Sequence, residues 1–285
     1  MHFFKALYIR AYFLTALVIT FWGLSQLGQG HVLWVAPLLT WTPLWLHNVW
    51  RLHLANSWFG DERERLAMGF ALLGVGIVLV AGERDQVLWW TLAGLFALLL
   101  YVVLISSLAR GVREPVGDQS RLPELMFSRP VVGNHGKSEL ISVQAYNALL
   151  AEEGKSPVHW VLFFHAPSCP YSRMAMRELM QKLDQHSEIH PEQVVAVFAD
   201  ELPNWVARFQ KAGGQCWVDP EGESSQQLGL WLRGGNTLLE GGNNALRPAL
   251  AAFDSDGKVA YWEVAANFRL PPSLEEHWEK LKRLG

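Results

Sequence analysis

Two periodicities divide the chain near residue 110. Before it, apolar positions run in blocks at 11–27, 32–50, 66–82 and 87–109, none containing Asp, Glu, Lys or Arg. Each block is close to the ~20 residues that carry a helix across ~30 Å of hydrocarbon. Segments one and four show almost no polar face at helical period, which a helix packed on a soluble core would need. The pattern therefore predicts a four-helix transmembrane bundle over 1–110. Lys5 and Arg10 precede the first block. The long apolar run behind them, with no clear small-residue cleavage site, reads as a retained helix rather than a signal peptide.

After residue 140 the pattern changes to short apolar runs alternating with amphipathic ones. Ser142 is placed to cap a helix over 143–153, stopped by Gly154. Buried strands are expected over 158–165, 194–198 and 216–218, with helices over 170–186, 204–212 and 224–228 between and after them. Two further strands, 249–253 and 259–264, flank Asp254-Ser255-Asp256-Gly257. Ser273 with Glu276 makes a capping box for a last helix. This order predicts an α/β domain over 140–285, a mixed sheet with helices on both faces. Between the halves, 111–139 holds Pro115, Pro123, Pro130, Gly117, Gly133 and Gly136 among polar residues and reads as a linker.

Composition sharpens the division. The 285 residues are 50% hydrophobic and only 18% charged, against about 25% charged in ordinary soluble domains. Residues 1–113 carry a net charge of +3 and the remainder −6. No basic stripe argues for nucleic acid. Positive charge collects at the N-terminus (Lys5, Arg10), between blocks two and three (Arg51, Arg63, Arg65) and after block four (Arg110, Arg113, Arg121, Arg129). That excess predicts a multi-pass inner-membrane protein with both termini and the α/β domain in the cytoplasm. Trp34, Trp50, Trp58, Trp89 and Trp90 lie near the expected span ends, as interfacial anchors do.

The membrane half holds no cysteine, so it cannot relay thiols. His47 and His53, at the end of block two, are its only ionisable residues near a span by this reading, too few for a proton pathway or a haem site. The bundle reads as an anchor, or as a docking platform for a membrane protein partner.

The chain has two cysteines, Cys169 and Cys216, too few for a disulfide scaffold or a structural zinc site. Phe163-Phe164-His165-Ala166-Pro167-Ser168-Cys169-Pro170-Tyr171-Ser172 resembles the thioredoxin superfamily, and Cys169-Pro170-Tyr171-Ser172 is similar to the glutaredoxin Cys-Pro-Tyr-Cys motif with serine as its last member. Arg247-Pro248-Ala249-Leu250-Ala251-Ala252-Phe253 resembles the segment that carries that superfamily's cis-proline. Asp219-Pro220-Glu221-Gly222 followed by Leu228-Gly229-Leu230 is similar to the alkyl-hydroperoxide-reductase/thiol-specific-antioxidant group of peroxiredoxins. The resemblance covers about 140–285. It implies a thioredoxin-like fold, a redox-active Cys169 and a cis Pro248 facing it, with no cofactor and no metal.

At the start of a helix Cys169 meets unpaired N–H groups and the helix dipole, which favour a thiolate and lower the thiol pKa. Pro170 loses nothing at the first helical position. Ser172, one turn on, can donate to the sulfur, and Arg247 can stabilise the thiolate or bind an anionic substrate such as glutathione or a peroxide. His165 is a nearby titratable group, and Cys216 is expected to pack rather than resolve. Without a second cysteine at 172, a local disulfide cannot close. Three functions fit: a thiol-disulfide oxidoreductase that works on a disulfide or peroxide through one cysteine and is resolved by an external thiol such as glutathione or a thioredoxin; a peroxiredoxin-like peroxidase; or a non-catalytic thioredoxin-fold scaffold. The peroxidase reading lacks the family's Thr or Ser three residues before the cysteine, where Ala166 stands.

Overall fold

The computed structural model describes residues 2–53, 64–82, 85–103, 124–130, 138–186, 188–232, 244–254, 258–265, 271–272, 274 and 278–279. The chain divides into two compact units, one helical and one beginning near residue 109.

The helical unit contains α1 (His2–Gly28), α2 (Val35–His53), α3 (Arg65–Ala81) and α4 (Gln86–Tyr101). All four expected helices form. α1 starts nine residues before its apolar block, because nothing between Phe3 and Arg10 breaks a helix. α2 absorbs both prolines. Pro37 lies in its first turn, where its missing N–H has no helical partner, and the helix continues through Pro43. Helix α4 ends in a π turn at 102–103, and the rest of the fourth block falls outside the described residues.

Ile9, Tyr12, Ala16 and Ile19 give α1 a buried stripe at three- and four-residue spacing. Small residues let the helices approach closely. A Cβ on Gly74 would stand 2.7 Å from the Ala36 carbonyl oxygen, and one on Gly94 would collide with Thr40 Oγ1. Outside this core the unit stays apolar: Val80 is 90% exposed, Phe21 69% and Leu14 66%. The stretch Leu7–Gly28 is long and apolar enough to cross a membrane, while α3 and α4 are shorter apolar helices.

The second unit is built on a seven-stranded sheet ordered β2-β1-β5-β4-β3-β8-β9. Its strands are β1 (Phe127–Pro130), β2 (Ser138–Ile141), β3 (Trp160–Phe163), β4 (Val194–Phe198), β5 (Gln215–Val218), β8 (Ala249–Phe253) and β9 (Val259–Val264). The central three are parallel, and β8, β9, β1 and β2 are added antiparallel. Its helices are α5 (Val143–Glu152), α6 (Pro170–Gln185), α7 (Ala207–Lys211) and α8 (Glu223–Gln227). A separate pair, β6 (Trp231–Leu232) with β7 (Ala245–Leu246), precedes β8. The run β4-β3-β8-β9, with α6 crossing from β3 to β4, is the expected mixed thioredoxin-like core.

The central strands β3, β4 and β8 bury both faces, so they read as continuous apolar runs. On one face Val161, Phe163, Val195, Val197 and Trp217 pack with Tyr146 and Leu150 of α5. On the other Trp160, Leu162, Ala196 and Phe198 pack with Met176, Leu179 and Met180 of α6. Ser142 caps α5 as expected, its Oγ accepting from the Ala145 N–H at 3.1 Å.

One expectation changes and another falls outside the described residues. The stretch read as linker contains β1 and the start of β2, which pair from Phe127↔Ile141 to Pro130↔Ser138. These strands are four residues each, too short to give a readable alternation, and Pro130 sits at the hairpin's end where its missing donor costs little. The Ser273 cap of the last helix lies outside the described residues.

Candidate active site

The site grows from the end of β3. That strand stops at Phe163, the chain turns through 164–169, and α6 begins at Pro170 with Cys169 as its N-cap in extended conformation (φ −74°, ψ 118°). Pro170 occupies the first helical position, as its fixed φ favours. The turn is pinned on several sides. The Phe164 N–H donates to Val197 O at 2.9 Å, the Cys169 N–H to Ala166 O at 3.1 Å, and Trp205 Nε1 to Pro167 O at 2.9 Å.

Cys169 is 2% exposed. Burial pushes its thiol up, and the nearby Ser172 N–H, Ser172 hydroxyl and Tyr171 N–H, which favour the thiolate, oppose that rise, although the Cys169 side chain makes no capping hydrogen bond to the helix. The lowered thiol expected from the helix start is thus overturned. The donors are in place, but removing the sulfur from water outweighs them.

Ser172 does two jobs. Its Oγ accepts the His165 N–H at 3.1 Å, which directs its own hydrogen toward Cys169. His165 in turn grips the segment before Pro248. Its Nδ1 donates to Leu246 O at 2.7 Å, and the Leu246 N–H donates back to His165 O at 2.8 Å. A carbonyl only accepts, so Nδ1 carries the proton and the tautomer is fixed. Burial pushes the imidazole down to about 4, the Leu246 bond working against that shift.

The structure therefore brings Cys169, Ser172 and His165 into one bonded cluster and joins it to β7, the strand that Arg247 and Pro248 follow. The Arg247–Pro248 peptide is trans, which corrects the cis form implied by the resemblance. The chain passes extended from β7 into β8, with Leu246 bonded to His165 and Ala249 in register with Phe163, a course the ordinary trans bond permits. Pro248 is buried and its carbonyl accepts the Ala265 N–H at 2.8 Å. The Arg247 N–H donates to Leu230 O at 2.8 Å. Its Nη1 is buried without an acceptor among the described residues, and burial lowers the guanidinium pKa.

Cys216 lies on β5 in the α6-side core, and burial pushes its thiol up to about 12. It packs as a small hydrophobe. Among the described residues no group of three or more His, Cys, Asp or Glu could hold a metal ion. Sequence reasoning missed Leu246, whose main chain meets His165 twice, and Trp205. Main-chain acceptors leave no trace in residue type, and only the tryptophan's usual need for a partner on its N–H hinted at a pin.

No protein-family model matches the sequence, and no curated protein does. Among solved structures the chain is similar to a peroxiredoxin-like protein from Aquifex aeolicus (16% identity over 61% of this chain and 91% of that one, TM-score 0.42). It is similar also to a thiol peroxidase from Chromobacterium violaceum (14%, 59% and 87%, TM-score 0.40) and to AhpC from Enterococcus faecalis (14%, 58% and 90%, TM-score 0.41).

Proposed function

We propose that the chain is a membrane-anchored thiol-disulfide oxidoreductase that uses one nucleophilic cysteine. The observation that carries this reading is the sulfur of Cys169 at the N-cap of α6, where the Ser172 hydroxyl and the first-turn donors of Ser172 and Tyr171 favour its thiolate. Those donors suit negative charge, both on the attacking thiolate and on the sulfur expelled when a mixed disulfide is resolved. In the first step Cys169 loses its proton and attacks a disulfide; the Cys169–S bond forms, the substrate S–S bond breaks, and the leaving thiolate takes up a proton. An external thiol such as glutathione or a thioredoxin then attacks the mixed disulfide and returns Cys169 to the thiol. Arg247, with a buried and unpaired Nη1, suits an anionic substrate. Pro248 fixes the strand entry beside the His165 clamp.

The helical unit holds the protein in the bilayer as a multi-pass anchor, with the α/β domain cytoplasmic. Support comes from its outward apolar side chains on all four helices and from the distribution of Lys and Arg. A partner protein within the membrane remains part of this reading.

A second reading, a non-catalytic thioredoxin-fold binding domain, is favoured by the closed position of the sulfur and its raised thiol. Iodoacetamide alkylation across pH, read separately at each cysteine, together with exchange against glutathione disulfide, decides between the two. Mixed disulfide on Cys169 that is lost in Cys169→Ser and retained in Cys216→Ser supports the oxidoreductase. An alkylation midpoint above a free thiol's with no exchange supports the binding domain, and fast sulfenate formation with hydrogen peroxide would instead indicate a peroxidase.

A further inference from the structure

The helical unit contains a second feature, remote from any cysteine in sequence. A groove of about 810 Å³ lies among α1, α2 and α3, within the roughly 300–1,000 Å³ range of small-molecule sites. Its wall is built from the way these helices pack. Pro43, in the middle of α2, has no N–H to return to the carbonyl one turn back, and it lines the groove. The polar residues on that wall are largely consumed by one another. Thr20 Oγ1 donates to Ala16 O at 2.7 Å, shares a hydrogen bond of 2.9 Å with Thr42 Oγ1, and accepts from Trp45 Nε1 at 3.2 Å. What they leave to an occupant is methyl groups and ring faces.

The wall also carries an ionisable pair. His47 lines the groove, its Nδ1 is 3.4 Å from Glu64 Oε2, and Trp50 stacks against its ring at 5.8 Å. Glu64 is wholly buried and sits in the left-handed region (φ +48°), an uncommon and costly place for a non-glycine residue. The structure puts this position inside the unit against a histidine. Ionisable pairs buried in an apolar bundle are costly and commonly mark a function.

We propose that this groove is a binding site for a bilayer amphiphile, its hydrocarbon chain along α2 and its polar head at the His47–Glu64 pair. The groove opens beside Phe21, Leu24, Leu46 and Leu66, which are exposed and continuous with the outward apolar surface of the unit. An occupant therefore arrives from the surrounding hydrocarbon, and an apolar wall with one polar station selects a molecule of one long chain and one head. This inference rests on the membrane anchoring proposed above.

The test uses the full-length protein in phosphatidylcholine vesicles containing a phosphatidylcholine with a diazirine in its acyl chain. After illumination, labelled peptides are read by mass spectrometry. The α2 peptide holding Leu38 and Leu39 is expected to label about tenfold above the Leu79–Val80 region of α3, a ratio expected of a retained rather than a passing lipid. Leu39→Trp fills the groove and should bring α2 labelling down to that of α3, leaving α3 unchanged; Leu24→Trp fills it from α1 with the same result. His47→Leu should reduce the phospholipid that stays with the protein through detergent washing. Equal labelling of α2 and α3, indifference to both filling variants, or α2–α2 crosslinks between two copies in place of lipid adducts overturns the site. Extraction of the protein from membranes by alkaline carbonate, measured first, overturns the anchoring itself and the site with it, and is distinguishable because it precedes any labelling.

Discussion

His165 makes the stability of the α/β unit depend on pH in a defined window. Its ring is buried, and burial holds it near 4 in the folded protein, against about 6.5 in the unfolded chain. Between these values the unfolded state binds the proton that the folded state refuses, so stability falls as pH falls from 6.5 to 4 and levels off below. The gap from 6.5 to about 4, at 1.36 kcal/mol per unit, amounts to about 3 kcal/mol. His159, which burial also lowers, adds in the same sense. The assay is guanidinium unfolding of the full-length protein in detergent, followed by pulsed alkylation of Cys216, whose core position hides it until the unit opens. Each pulse is given at one fixed pH after equilibration. For a guanidinium slope of roughly 2–6 kcal/mol/M, the wild-type midpoint should drop by about 0.5–1.5 M between pH 7 and pH 4. His165→Leu leaves Leu246 O unpartnered and lowers stability at neutral pH by roughly 1–3 kcal/mol, but most of the pH-dependent loss should vanish. A variant with the full wild-type slope would refute the assignment, since the proton would then be bound elsewhere.

Three further outcomes are expected. Ser172→Ala removes the hydroxyl donor to the Cys169 sulfur, so the alkylation midpoint of Cys169 should rise by about 1–2 pH units, the value of a hydrogen bond to a charged group; an unchanged midpoint would show that the hydroxyl does not act on the sulfur. Gly222→Ala should destabilise the α/β unit by about 1–3 kcal/mol, because Gly222 has φ +73° and a Cβ there would run into the Trp231 ring, as thermal unfolding would report. A reporter fused to the C-terminus and active only in the periplasm should stay silent, and a signal from it would reverse the orientation argued from Lys and Arg.

Periodicity made most of the fold readable. β4, β8 and β9 fall where the apolar runs place them, and Ser142 and Cys169 both stand as N-caps of the helices that follow. The hairpin β1–β2 was hidden because each strand is four residues long and the intervening 131–137 carries Gly133 and Gly136 among mostly polar residues. β6 and β7, two residues each, are shorter than any period can register. Of the site, residue type indicated the cysteine, the serine and the arginine. It did not show that His165 joins the cysteine turn to Leu246, because the partners at Leu246 are main-chain groups 81 residues away in the chain.

The ionisation of Cys169 is where local sequence and tertiary structure disagree. A helix start offers an anion up to roughly 2 kcal/mol in a favourable, partly buried position. Full burial of a charged group costs up to 3–5 pKa units, or about 4–7 kcal/mol. The local rule gives the correct sign for the donors, which do favour the thiolate, yet the larger effect belongs to desolvation. Reactivity at neutral pH then depends on how far the sulfur is hydrated when a substrate reaches it. A hydrated Cys169 would keep its donors and lose the penalty that now raises it, so its nucleophilicity should increase on exposure. Iodoacetamide and a bulky maleimide probe this directly. If opening the turn controls reaction, removing the Trp205 bond to Pro167 O by Trp205→Phe should accelerate both reagents, the larger one more. Unchanged rates with both would mean that the turn is already open enough for attack and that the donors alone set the reactivity.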